Sequence, residues 1–130
     1  MKRRQARELT LQMLFQCEFA PKISYKEFME VFEHYCEREV LDFADEVIKA
    51  VQTHQSEIDA TLESASKNWT LKRMATVDRT LLRMAVAEMK YLKIDPKVSI
   101  NESIELAKQY GSADSPGFIN GILDTVFKAL

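Results

Sequence analysis

Residues 77–92 read VDRTLLRMAVAEMKYL, and their reading decides the fold. Nine of the twelve residues from Leu81 to Leu92 are apolar, with no glycine or proline among them. They show no convincing period-two alternation, so they do not read as a half-buried strand. A helix that is apolar nearly all round sits at the centre of a core. Thr76 can cap it, and Asp78 suits the positive end of its first turn. The helix is expected over about Val77 to Lys93, and Pro96 ends the connection that follows.

The same helical spacing extends outward in both directions. A first helix is expected from about Arg3 to Phe19, stopping before Pro21. Gln5, Glu8, Gln12 and Gln16 form its polar strip. Ala6, Leu9, Met13 and Cys17 line one flank of its apolar arc, and Leu11, Leu14 and Phe15 line the other. Ser24 and Glu27 have capping-box spacing and open a second helix. A long third helix is expected from about Val40 to Ala65, followed by a short segment from Trp69 to Met74. Ser99 and Glu102 have capping-box spacing again, with Gly111 as the stop of a fifth helix. Ser115 and Pro116 read as the N-cap and first residue of the last helix, whose apolar face includes Phe118, Ile119, Ile122 and Leu123. The expectation is an all-α helical bundle of about six main helices, with residues 1–130 forming a single domain.

Composition agrees with that reading. Among 130 residues there are only three glycines and three prolines, 46% are apolar and 29% are charged. These proportions exclude collagen-like and low-complexity chains. No apolar run approaches the ~20 residues that span a bilayer, and MKRRQARE is not a secretory signal. Cys17 and Cys36 lack a CxxC spacing and read as buried free thiols in a reducing, cytoplasmic setting.

Charge is unevenly placed. Lys2, Arg3, Arg4 and Arg7 stand in a leader without an acid. The remainder holds 14 basic residues against 20 acidic ones, a formal −6 on residues 8–130. Arginine forks match phosphate oxygens in pairs, and their planes stack on bases. The leader cations are expected to project from the helix start as an RNA contact, or else to form a solvated terminus. Four such cations predict a log-affinity against log-salt slope of roughly −3 on single-stranded RNA.

A second candidate patch is Lys67, Trp69, Lys72 and Arg73. An aromatic ring among cations suits unstacked bases. The competing reading makes Trp69 a plug between helical subdomains. Arg79 and Arg83 are one turn apart, and pairing with Asp78, Glu88 or Glu102 competes with phosphate binding there. Phe118 follows an Asp114-Ser115-Pro116-Gly117 loop and reads as core or as a partner-facing rim. Catalytic chemistry has little support. His34 and His54 have no third ligand at metal spacing, neither cysteine has an evident histidine partner, and no phosphate-loop, dinucleotide or nucleophile-elbow motif is present. No catalytic residue, metal or cofactor is expected.

Four blocks in order resemble the NusB family of transcription antitermination factors. They are the leader from Arg3 to Glu8 with Leu11 to Phe15, the block Val77 to Ala85, the block Ile100 to Lys108, and the block Phe118 to Asp124. The resemblance spans nearly the whole chain. It implies an all-α fold of two small packed bundles and a non-enzymatic role. It also implies binding of single-stranded boxA RNA from ribosomal RNA operon leaders, together with NusE, a small-subunit ribosomal protein. The complex would join elongating RNA polymerase through other Nus factors and suppress premature termination. Position by position, Lys2, Arg3, Arg4 and Arg7 match the basic leader, while Phe15 and Trp69 match aromatic positions near the RNA or partner. Asp114 and Phe118 match the place where RNA and NusE surfaces meet, and Asp78 lies toward the NusE side. Gln5 interrupts the basic run where some relatives have arginine. Asn101 and Glu102 are expected to cap a helix, Asn120 to satisfy a buried backbone group, and Gly121 to allow close helix approach. Related helical domains also occur fused to ribosomal RNA cytosine methyltransferases, but residues 1–130 hold no cofactor motif. A homodimer in the unbound state, paired through an apolar helix face and covering the arginine leader beside Leu11, Leu14 and Phe15, is a further expectation.

Overall fold

A computed structural model describes residues 2–67 and 69–130. The described residues form seven α-helices and no strand. These are α1 (Lys2–Phe19), α2 (Tyr25–Phe32), α3 (Arg38–Thr53), α4 (Gln55–Ala65), α5 (Thr76–Lys90), α6 (Pro96–Tyr110) and α7 (Ser115–Ala129). A single 3-10 turn, Leu71–Arg73, precedes α5.

The central stretch does what its composition demands. Leu81, Leu82, Ala85, Val86 and Ala87 are fully buried. α5 packs against α1 and α3 on one side, and against α4, α6 and α7 on the other. It is thereby shared by two groups of helices. Against α5 each group removes apolar surface from water, the main favourable term in folding. α2 is attached more thinly, with α1 as its main packing partner. Of its eight residues, only Tyr25 is buried.

The expected third helix is two. The chain leaves helical geometry at His54 (φ −113°, ψ 21°), although its N–H still bonds to the Ala50 carbonyl at 3.0 Å. No glycine or proline marks the break. Instead, the His54 ring stacks on Tyr91 with centroids 3.8 Å apart and planes within 3°. Tyr91 in turn donates to Glu57 at 2.9 Å. A tertiary contact holds the bend where the local sequence would continue the helix.

α6 begins earlier than its expected cap. Asp95 is the N-cap, accepting from the Lys97 N–H at 3.0 Å, and Pro96 is the first helical residue. Ser99 and Glu102 therefore lie within the helix, and their side chains serve other helices. At the far end, Gly111 is required by close approach. A Cβ there would meet Ser115 Oγ at 2.6 Å and the Ala107 carbonyl at 2.9 Å. Asp114, not Ser115, holds the N-cap position of α7, and Ser115 is buried with its Oγ accepting from the Ser112 N–H at 3.0 Å. Asn120 is exposed and Gly121 faces open space, so neither makes the buried contact expected of it. Cys17 and Cys36 are half-buried free thiols.

Candidate nucleic-acid interface

α1 carries its cations in a defined helix from Lys2 onward. Each leader cation has a different environment. Lys2 Nζ lies 3.0 Å from Glu37 and 3.4 Å from Glu39. The Arg3 guanidinium lies 4.0 Å from the centre of the Phe43 ring. Arg4 grips Glu102 with both arms of its fork, at 3.1 and 2.6 Å. Arg7 does the same to Glu88, at 2.9 and 2.7 Å.

Arg7 corrects the expectation of a projecting cation. It is 3% exposed and Glu88 is 2% exposed. Ser99 Oγ donates to the same Glu88 at 2.9 Å. A buried ion pair persists only when the charges are closely matched and their remaining lone pairs are satisfied. Here three helices supply that match: α1 the arginine, α5 the carboxylate and α6 the hydroxyl. The Arg7 fork is committed to protein and has none of its width left for a phosphate.

Glu102 sits between the two arginines, 3.8 Å from Arg7 as well as paired with Arg4. The Arg4 hydrogen bonds hold its carboxyl below the ordinary carboxylate value, against a smaller opposing effect of burial. Of the four leader cations, only Arg3 has no carboxylate partner among the described residues.

The second patch assembles around Trp69. Its ring is 54% exposed and meets Phe118 edge to face, with centroids 5.8 Å apart. Phe118 is half-buried, one turn into α7, and its N–H bonds to the carbonyl of exposed Asp114 at 3.1 Å. Lys67, Lys72 and Arg73 are exposed in the same connection. The structure thus brings Trp69 against Phe118 at the Asp114 end of α7, which the sequence placed in separate motifs. The leader is a different neighbourhood. The two are joined by α6, whose last residue, Tyr110, donates to Glu8 of α1 before the chain turns through Gly111 toward Asp114.

Phe15 is half-buried and lines an apolar groove of about 610 Å³ with Leu9, Leu11, Phe32 and Val77. Asp78 lies next to Val77 in sequence but is only 8% exposed, and its Oδ1 has no hydrogen-bond partner. It does not present the surface carboxylate expected of a partner contact. Arg79 and Arg83 are ion-paired as anticipated, though with other partners. Arg79 bonds to Glu18 at 2.6 Å, and Arg83 bonds to Asp59 at 2.8 and 3.0 Å. Sequence reasoning missed Phe43, the His54–Tyr91 pair and the carboxylates that answer the leader. Only the alternating signs of charge on α1, α5 and α6 could have pointed to the last of these.

No group of three or more potential metal-ligating side chains exists among the described residues, and no described helix is long and apolar enough to cross a membrane. Fold and site together define a small all-helical binding protein. The chain belongs to the NusB family, whose model matches residues 4–128, and the family acts in antitermination rather than as an enzyme. It is 50% identical over 129 residues to the transcription antitermination protein NusB of Bdellovibrio bacteriovorus, covering 98% of this chain and 96% of that one. It superimposes on T. maritima NusB with a TM-score of 0.90 at 34% identity, covering 97% of this chain and 90% of the other. A crystal structure of the antitermination factors NusB and NusE in complex with double-stranded RNA matches with a TM-score of 0.88 at 26% identity. That match covers 99% of this chain and 98% of the other.

Proposed function

We propose that this protein binds the boxA element of ribosomal RNA operon leaders as a single strand, jointly with NusE. The complex then joins elongating RNA polymerase through other Nus factors and suppresses premature termination. The observation that carries joint binding of NusE and RNA is the match, over nearly the whole of both chains, to an antitermination factor solved with NusE and double-stranded RNA, while the single-stranded boxA target follows from the family resemblance. The geometry supports it through two sets of side chains that reach the surface, with Arg4 and Phe118 half-buried among them. Lys2, Arg3 and Arg4 offer cations at the start of α1, and Trp69 with Phe118 offers aromatic edges flanked by Lys72 and Arg73. Phosphate contacts supply affinity and stacking supplies a sequence-tolerant grip on bases. Arg7 shapes the leader from within. NusE takes the apolar groove beside Phe15 and Val77 together with the Asp114–Phe118 edge, and self-pairing through that groove is the state of the chain without its partner.

One observation favours a second reading. Lys2 and Arg4 are already answered by carboxylates, so the leader is far less positive than its sequence. A pure protein-interaction module would look the same. Fluorescence anisotropy separates the two, using boxA RNA and a scrambled control, with and without NusE. Selective binding that NusE strengthens and Arg3→Ala/Arg4→Ala weakens is the expected result. Negligible binding of both RNAs with NusE present, alongside intact NusE binding, establishes the interaction module instead. Sedimentation of the free protein tests self-pairing, and a monomer at high concentration removes it.

A further inference from the structure

We infer that the groove between α3, the His54 bend and the end of α5 is a nucleobase subsite, in which one splayed base of the bound RNA stacks beside the phosphate held by Arg3. The inference rests on the RNA-binding reading above and extends it from Arg3 of the leader to a groove that no motif indicates.

The argument begins with which cation is available. Carboxylates within 3.4 Å occupy Lys2, Arg4 and Arg7. Arg3 has no such partner among the described residues, and its guanidinium lies over Phe43. Arg3 and Phe43 line a groove of about 630 Å³, whose other walls include His54, Tyr91, Leu92 and Ile94. A phosphate that engages the accessible leader cation is therefore placed at this mouth.

The groove floor suits a base. Arg3 presents a flat cation already stacked on an aromatic ring, and guanidinium planes receive bases on their free face. The parallel His54–Tyr91 pair adds a rigid π surface, fixed by the Tyr91 hydroxyl on Glu57. The acids present favour a base over a second phosphate. Lys49 is held by Asp45 at 2.8 Å, which leaves Glu46 on the wall without a cationic partner among the described residues. A carboxylate repels phosphate but accepts from an exocyclic amine of a base edge. The His54 bend is what opens this space, because a continuous α3–α4 helix would not turn His54 onto Tyr91.

The test uses the full chain with NusE and boxA RNA in which 2-aminopurine replaces one purine at a time. The wild type is expected to bind and to quench the probe at one position. Tyr91→Ala should bind about tenfold more weakly, the usual effect of losing one stacked base, and lose that quenching. Tyr91→Phe keeps the ring and should retain both. Because Tyr91→Ala also removes packing, Thr53→Trp provides a second variant. Thr53 is an exposed wall residue, and the larger ring fills the groove without removing a buried side chain. It should lose the quenching as well. If the wild type binds RNA but Thr53→Trp and Tyr91→Ala bind within twofold of it with quenching unchanged, the groove is not a subsite and the RNA-binding reading survives. If the wild type binds no RNA, both fall together.

Discussion

Two pairs of arginines, chemically alike, hold this molecule together in unlike ways. Arg4 and Arg7 tie α1 to α5 and α6 through Glu102 and Glu88. Arg79 and Arg83 tie α5 to the end of α1 through Glu18 and to α4 through Asp59, and Arg79 also donates to the Leu71 carbonyl at 3.0 Å. In the first cluster Arg4 and Glu102 keep 41% and 17% of their side-chain surface in water, and the dry pair is Arg7 with Glu88, at 4% and 2%. In the second, all four side chains keep between 14% and 27% of their surface in water. Water is the difference that matters. A partly wet pair can be replaced by hydration when one partner is lost, and a dry one cannot.

The largest effect should therefore come from Glu88→Ala. It leaves the buried Arg7 charge with only Glu102, 3.8 Å away and already gripped by Arg4, and a loss of about 3–5 kcal/mol is expected in urea unfolding. A loss below about 1 kcal/mol would show that water reaches Arg7 and would erase the contrast. Replacing both partners by apolar residues, Arg7→Met with Glu88→Leu, should recover much of that loss, since the desolvation penalty disappears with the charges.

Glu18→Ala removes the carboxylate shared by Arg79 and Arg83. Its expected cost in the same unfolding experiment is about 1–2 kcal/mol, between a surface pair and a buried charge-assisted bond. Equality with Glu88→Ala would overturn the role assigned to water.

A third expectation concerns acid. Glu102 is ionised at lower pH in the folded chain than in the unfolded one, because Arg4 donates to it. Its stabilising effect is complete above the unfolded value near 4.5 and is lost as pH falls through the lower folded value. Arg4→Ala should flatten the stability profile in that window and leave it unchanged near neutrality apart from a constant offset. An unaltered slope in the acid range would mean that Arg4 does not hold Glu102 ionised.

The smallest effect sharpens the comparison on the RNA side. With Arg7 buried on Glu88, three leader cations remain once RNA displaces the carboxylates that hold Lys2 and Arg4, and the salt slope of RNA binding should be roughly −2 rather than the −3 that four would give. Lys2→Ala should shift it by a further ~0.7, measured by anisotropy across a salt series.

The central helix, the apolar faces and the helical class were legible in the sequence because periodicity encodes burial directly. The break at His54 was not, because the cause is a ring 37 residues away in α5's C-cap, Tyr91. The α6 start was misread for a related reason. Ser99 and Glu102 have the residue types and spacing of a cap, yet their oxygens serve Glu88 and the arginines of α1. The leader stands out by its charge, which by itself leaves an RNA contact and a solvated terminus equally open. Which of its cations is buried depends on which carboxylates fold against it, and no local pattern carries that information. Trp69 and Phe118 were each singled out, whereas their contact is a property of the tertiary structure.

Arg7, Glu88 and Ser99 lie on three helices, yet they behave as one heritable unit. In a library randomised at these positions and selected only for folded protein, survivors should fall into two groups. One keeps the ionic trio, and the other replaces the arginine and the carboxylate with apolar side chains of similar bulk. Sequences with one charge and not the other should be purged, so a lineage can move between the groups only by double change. Under selection for folding alone, the exposed start of α1 should vary while Arg7, one turn further in, stays tied to Glu88.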